Sequence, residues 1–183
     1  MQKYWLKKQN NNMSSTLEMP KDIDNEKEAE TFIKYESSKE HYKAEACVVW
    51  CYDARYADLY KEFLSQRGWE DSKIDAVKGA GGAQAFAGGE GADRSVADSQ
   101  IAKSIKLHDT EKVVLMVHMD CGGYGGSKAF DNDHQKEWDH HVAELDKAAA
   151  NIQSNFPQIK EIECWLADFD GLHKVGSVAV DNS

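Results

Sequence analysis

The sequence predicts an α/β fold with a mostly parallel central sheet flanked by helices and one antiparallel edge strand. Three observations predict it. Short apolar runs alternate along the chain with segments of helical spacing, the pattern of strand–helix–strand units in a parallel sheet. The run Val113-Val114-Leu115-Met116-Val117 shows no polar alternation, as suits a strand buried on both faces. Near the C-terminus, two strand-like runs flank Asp170-Gly171, a dipeptide with hairpin-turn chemistry that returns the second run antiparallel to the first.

The elements follow in order. Residues 1–24 are polar and asparagine-rich without periodicity and are expected to form a mobile arm. Residues 25–183 are expected to form a single domain, since 183 residues with 41% hydrophobic content suffice for one sizeable core rather than two. Over 25–42, the spacing of Ala29, Phe32, Ile33 and Tyr35 predicts an amphipathic helix capped by Asp24 or Asn25. Ala46 to Trp50 is strand-like, and Arg55 to Arg67 returns to helical spacing through Leu59, Tyr60, Phe63 and Leu64 until Gly68 stops it. Ile74 to Val77 predicts a strand that runs into the glycine-rich stretch Gly79 to Gly91. Ala92 to His108 predicts a helix with Val96, Ile101, Ile105 and Leu107 as its apolar set. After the central strand, Glu137 to Phe156 reads as a long helix through Val142, Leu145, Ala149 and Ile152, ended by Pro157. Ile159 to Ala167 and Lys174 to Val180 complete the sheet.

Charge narrows the partners. A net charge of −10 repels phosphate backbones and anionic lipid, so neither nucleic acid nor membrane is an expected partner. No apolar run approaches the roughly 18 residues of a membrane span. Lys3, Lys7 and Lys8 precede Gln9 to Asn12 rather than an apolar stretch, which does not make a secretory signal. Four cysteines are too few for a disulfide scaffold, and a reducing, cytoplasmic setting is expected.

In parallel sheets, ligands collect outside the carboxyl ends of strands. Cys51-Tyr52-Asp53-Ala54-Arg55 directly follows the first strand and His118-Met119-Asp120-Cys121-Gly122-Gly123 the central one. Two thiolates and an imidazole are good zinc ligands, and one turn can deliver both His118 and Cys121 to a tetrahedral centre. Free cysteine is also a common core residue. That reading fits Cys47 and Cys164, which lie inside apolar runs, better than Cys51 and Cys121, which lie on loops. Asp53 and Arg55 share a side of an extended segment with Cys51, where a bidentate pair would keep Asp53 ionised.

The pair Cys51-x-Asp53-x-Arg55 and His118-x-x-Cys121-Gly122 resembles the paired motif of the β-class carbonic anhydrases. The resemblance covers Ala46 to Gly126 by motif, and the later helix and hairpin suit that family's topology. It implies one Zn2+ per subunit, held by Cys51, His118 and Cys121. It also implies reversible hydration of carbon dioxide to bicarbonate by a zinc-bound hydroxide, with Asp53 and Arg55 as catalytic residues. A homodimer or higher even-numbered oligomer is implied as well. Position 54 is Ala where many members carry Ser, and Lys78 to Ala83 keeps its glycines but lacks the usual Arg and Asn side chains. Two alternatives follow: a hydrolase of carbonyl sulfide or carbon disulfide at the same zinc, and a non-catalytic zinc domain closed by Asp53. No Walker lysine follows the glycine stretch, so a nucleotide-phosphate loop is not expected. Gln84 and Phe86 are weaker pocket candidates, Asp120 is a second neighbour of the metal or a turn residue, and His134, His140 and His141 are expected on a solvated helix face.

Overall fold

The computed structural model describes residues 32–69, 73–88 and 91–179. The chain divides into two units, Met1–Lys39 and Glu40–Ser183. In the first, residues 32–39 carry no regular element. The helix expected over 25–42 is therefore not formed in its described part, and its beginning lies outside the described residues. Phe32, Ile33 and Tyr35 are exposed, and a short helix without a buried apolar face is marginal in water.

The second unit is built on a five-stranded sheet ordered β2-β1-β3-β4-β5. Its strands are β1 Ala46–Trp50, β2 Ile74–Lys78, β3 Lys112–His118, β4 Glu161–Ala167 and β5 Leu172–Ala179. β1 pairs parallel with β2 and with β3, β3 pairs parallel with β4, and β4 pairs antiparallel with β5. Helices α1 Ala57–Gln66, α2 Gln84–Ala87, α3 Ala92–His108 and α4 His134–Asn155 fill the connections. The short α2, inside the glycine-rich stretch, was not legible from spacing.

The strands' period of two divides the core. Cys47, Val49, Val113, Leu115 and Val117 face Ile101 of α3 and Leu145 and Ile152 of α4. Ala46, Val48, Trp50, Val114 and Met116 face Tyr60, Phe63 and Leu64 of α1. Cys47 and Cys164 are buried in the first of these layers, as expected. α3 departs from its expected face. Val96 and Leu107 are exposed, while Ala97, Ile101 and Ser104 are buried, because positions 97, 101 and 104 recur at the helical repeat and 96 and 107 fall outside it.

Turn chemistry sets the boundaries. Gly68, at φ +65, stops α1. The Asp133 side chain caps α4 by accepting from the Lys136 amide at 3.0 Å. Asp168 Oδ1 accepts from the amides of Asp170 and Gly171, both at 2.8 Å, and shapes the hairpin. The sheet places three loops together at the carboxyl ends of its strands: 51–56 after β1, 79–83 after β2 and 119–127 after β3.

Candidate metal centre

The loop after β1 and the loop after β3 bring Cys51, His118 and Cys121 together. All three are buried, and their donor atoms lie within 4.8 Å of one another. Cys51 Sγ and Cys121 Sγ are 4.0 Å apart. Two sulfurs about 2.3 Å from a common tetrahedral centre stand about 3.8 Å apart, so the spacing fits a zinc-sized ion without rearrangement.

His118 supplies the clearest test of fit. Its Nδ1 lies 2.9 Å from the Met119 carbonyl oxygen, which can only accept, so Nδ1 carries the proton and Nε2 presents a lone pair. That Nε2 is buried with no hydrogen-bond partner among the described residues. Burial lowers the basicity of His118, which favours the neutral ring that ligates metals. Tyr56, at 3% exposure, packs its ring 4.5 Å from that of His118 and donates its hydroxyl to the same Met119 carbonyl at 3.3 Å. It holds the imidazole plane and went unnoticed in the sequence, where its only signal was adjacency to Arg55.

The thiols need the opposite treatment. Burial raises Cys121 to about 11, the amides of Gly123 and Gly81 pull it back, and the neighbouring Cys51 adds to the rise. These amides reach the sulfur because two glycine loops meet. A Cβ on Gly123 would stand 2.6 Å from the Gly81 nitrogen, and one on Gly82, at φ +55, would stand 2.2 Å from the Met116 carbonyl oxygen. Of the glycines kept in Lys78 to Ala83, Gly82 therefore serves close backbone approach.

Asp53 caps a 3-10 turn, Ala54–Tyr56, by accepting from the Arg55 amide at 3.0 Å. Arg55 Nη2 donates to Asp53 Oδ2 at 2.8 Å and Nε to both carboxylate oxygens at 3.1 and 3.2 Å. Hydrogen bonding by Arg55 outweighs desolvation and holds Asp53 down to about 2. Asp53 Oδ2 lies 3.8 Å from His118 Nε2, so the pair borders the three donors. Arg55 also donates from Nη1 to Asp120 Oδ2 at 2.8 Å and from Nη2 to the Asp120 carbonyl at 2.9 Å. Asp120 is thus the second acceptor of Arg55 as well as a turn residue.

The remaining candidates separate. Gln84 donates to the Gly123 carbonyl at 3.0 Å, while Phe86 is a core residue. His134 and His140 are exposed, as expected. His141 is not, being wholly buried against Tyr124 and Phe130, because the buried stripe of α4 begins with the polar residues Glu137 and His141 before Leu145.

Comparison with known proteins agrees with this geometry. Residues 41–176 match the profile of a family described as "Putative carbonic anhydrase". An uncharacterized protein of Rickettsia conorii is 30% identical over 149 residues, covering 76% of this chain and 78% of that protein. One of Rickettsia bellii is 29% identical over 148 residues, covering 76% and 88%. Among solved structures, the beta-carbonic anhydrase isoform I of Trichomonas vaginalis superposes with a TM-score of 0.52 at 16% identity, over 78% of this chain and 87% of that one. The carbonic anhydrase of Glaciozyma antarctica gives 0.51 at 16% identity over 74% and 84%. With the motif pair, the profile match and the shared sheet topology in hand, the chain belongs to the carbonic anhydrase family, as a divergent member of its β class.

Proposed function

We propose that the protein is a zinc-dependent carbonic anhydrase that interconverts carbon dioxide and bicarbonate, with Cys51, His118 and Cys121 as the ligands. The observation that carries this reading is the buried lone pair of His118 Nε2, without a hydrogen-bond partner among the described residues, beside two sulfurs 4.0 Å apart and bordered by an arginine-held carboxylate. When bound, zinc supplies a Lewis acid that brings a coordinated water to a pKa of about 7. The chain's own residues do the rest. Arg55 keeps Asp53 ionised and therefore acceptor-only, so Asp53 takes a hydrogen bond from the reacting oxygen's proton and leaves that oxygen's lone pair free for carbon. The same guanidinium donates to both carboxylate oxygens and so competes with the metal for Asp53.

Stopped-flow carbon dioxide hydration with zinc-loaded protein tests the proposal, and activity no higher than that of Cys51→Ser overturns it. The closed alternative, with Asp53 as a permanent fourth ligand, draws on the 3.8 Å approach of Asp53 to His118. The hydrogen bonds from Arg55 to Asp53 oppose it. X-ray absorption at the zinc edge separates the two, since a sphere that keeps a carboxylate and gains no water between neutral and alkaline pH supports closure. We further infer a homodimer or larger even-numbered assembly, to which the exposed Val96 and Leu107 of α3 offer apolar surface. Sedimentation velocity tests this, and a monomer at micromolar concentration contradicts it.

A further inference from the structure

Glu137, in the first turn of α4, is 1% exposed. A carboxylate so enclosed is costly unless its oxygens are matched. Both are matched, and by the same loop that carries the donor atoms. Oε1 accepts from the Asp120 amide at 2.6 Å and Oε2 from the Ser127 hydroxyl at 2.7 Å. Asp120 lies between His118 and Cys121 with φ +53, a left-handed conformation that non-glycine residues adopt rarely and at a cost. It is tied on every side. Its Oδ1 accepts from the Ser127 amide at 3.0 Å, while its Oδ2 and carbonyl accept from Arg55. A continuous line of hydrogen bonds thus runs from Glu137 through Asp120 and Arg55 to Asp53. His141 Nε2 stands 3.5 Å from Glu137 Oε1, and burial pushes that imidazole well below its ordinary value.

We propose that Glu137 is a positioning residue of the centre: it fixes the peptide between His118 and Cys121 in its left-handed turn and, through Asp120, sets the guanidinium of Arg55. Its consequence for zinc and catalysis rests on the function proposed above, whereas the fixing of the peptide does not. Without Glu137 the Asp120 amide loses its acceptor, the turn loses the contact that offsets its strain, and Arg55 loses the register of two of its acceptors.

Two substitutions separate contact from packing. Glu137→Met keeps side-chain length and removes both acceptors, and Glu137→Gln keeps an acceptor for the Asp120 amide. Zinc affinity is measured by competition with a chromophoric chelator, and Asp120 amide exchange by NMR on zinc-free protein. Both outer partners and ligands set metal affinity, so Glu137→Met is expected to weaken zinc binding by about tenfold or more. Asp120 exchange should accelerate by about tenfold as well, and kcat should fall with KM unchanged. Glu137→Gln is expected to restore all of these to within about threefold of wild type. A folded Glu137→Met with affinity and exchange within about twofold of wild type overturns the proposal. Should Glu137→Met fail to fold, Ser127→Ala removes one contact at a half-buried position and is expected to shift both readouts by about threefold, with no shift counting as refutation. A wild type that binds zinc without hydrating carbon dioxide defeats the catalytic reading alone, and one that binds no zinc leaves the exchange measurement to decide.

Discussion

At the scale of the residue, the centre is governed by which atom holds which proton. The Met119 carbonyl fixes the His118 tautomer and so aims a lone pair at Cys51 and Cys121. Replacing His118 with Ala should cut bound zinc to a small fraction of wild type while leaving the far-ultraviolet circular dichroism intact, as metal analysis of the purified protein would report. Arg55→Ala separates binding from turnover. It removes the partners of Asp53 and Asp120 but none of the donor atoms, so zinc content should stay near stoichiometric while kcat falls on the order of 100-fold. A loss of zinc equal to that of His118→Ala would contradict this division. Cys51, His118 and Cys121 were legible in the sequence because they lie at or just beyond the ends of apolar strand runs. Tyr56 and Glu137 were not, since their importance depends on what the fold places beside them: a histidine ring 62 positions later for Tyr56 and, for Glu137, the loop beneath the start of α4.

At the scale of the element, strands were legible to within a residue or two where an apolar run met charge, as for β1 and β3. Helical faces were harder. α4 hides polar residues at the end nearest the centre, so a reading weighted toward apolar positions put His141 on the wrong side. For residues 32–39, spacing alone offered a helix, but Phe32, Ile33 and Tyr35 are exposed and give it no buried face. The loop after β2 yields a sharp prediction. Gly82→Ala would force a Cβ to within 2.2 Å of the Met116 carbonyl at a positive φ. Destabilisation beyond about 1 kcal/mol is expected in urea unfolding, with zinc affinity reduced because the loop packs against Cys51 and β3. Gly79→Ala, whose Cβ would meet nothing within 4 Å, should be nearly silent.

At the scale of the whole molecule, a buried acid ties together parts of the chain that are distant in sequence. Glu163, on β4, pairs with Arg67 beyond α1 at 3.1 Å and accepts from the Trp165 indole at 2.9 Å. Burial pushes its carboxyl up, but Arg67, Trp165 and Lys174 prevail and hold it at about 2, below the usual 4.5. A depressed folded value means that the stabilisation is complete above about pH 4.5 and is lost as pH falls toward about 2. Glu163→Gln should therefore flatten the acid limb of a pH–stability curve measured by urea unfolding. A curve that keeps its full slope would exclude this assignment. Stripping zinc with a chelator should lower the melting temperature in proportion to the logarithm of free metal, and readdition should restore it.

The meeting of Gly81 and Gly123 has a directional consequence. Where a Gly123 side chain would begin, the backbone of the other loop already stands, so the Cys121 flank of the centre is walled by main chain. Arg55, which borders the donor atoms through Asp53, keeps 45% of its side chain open to solvent. The centre thus has a main-chain wall on its Cys121 flank and a solvent-facing arginine on its Asp53 flank.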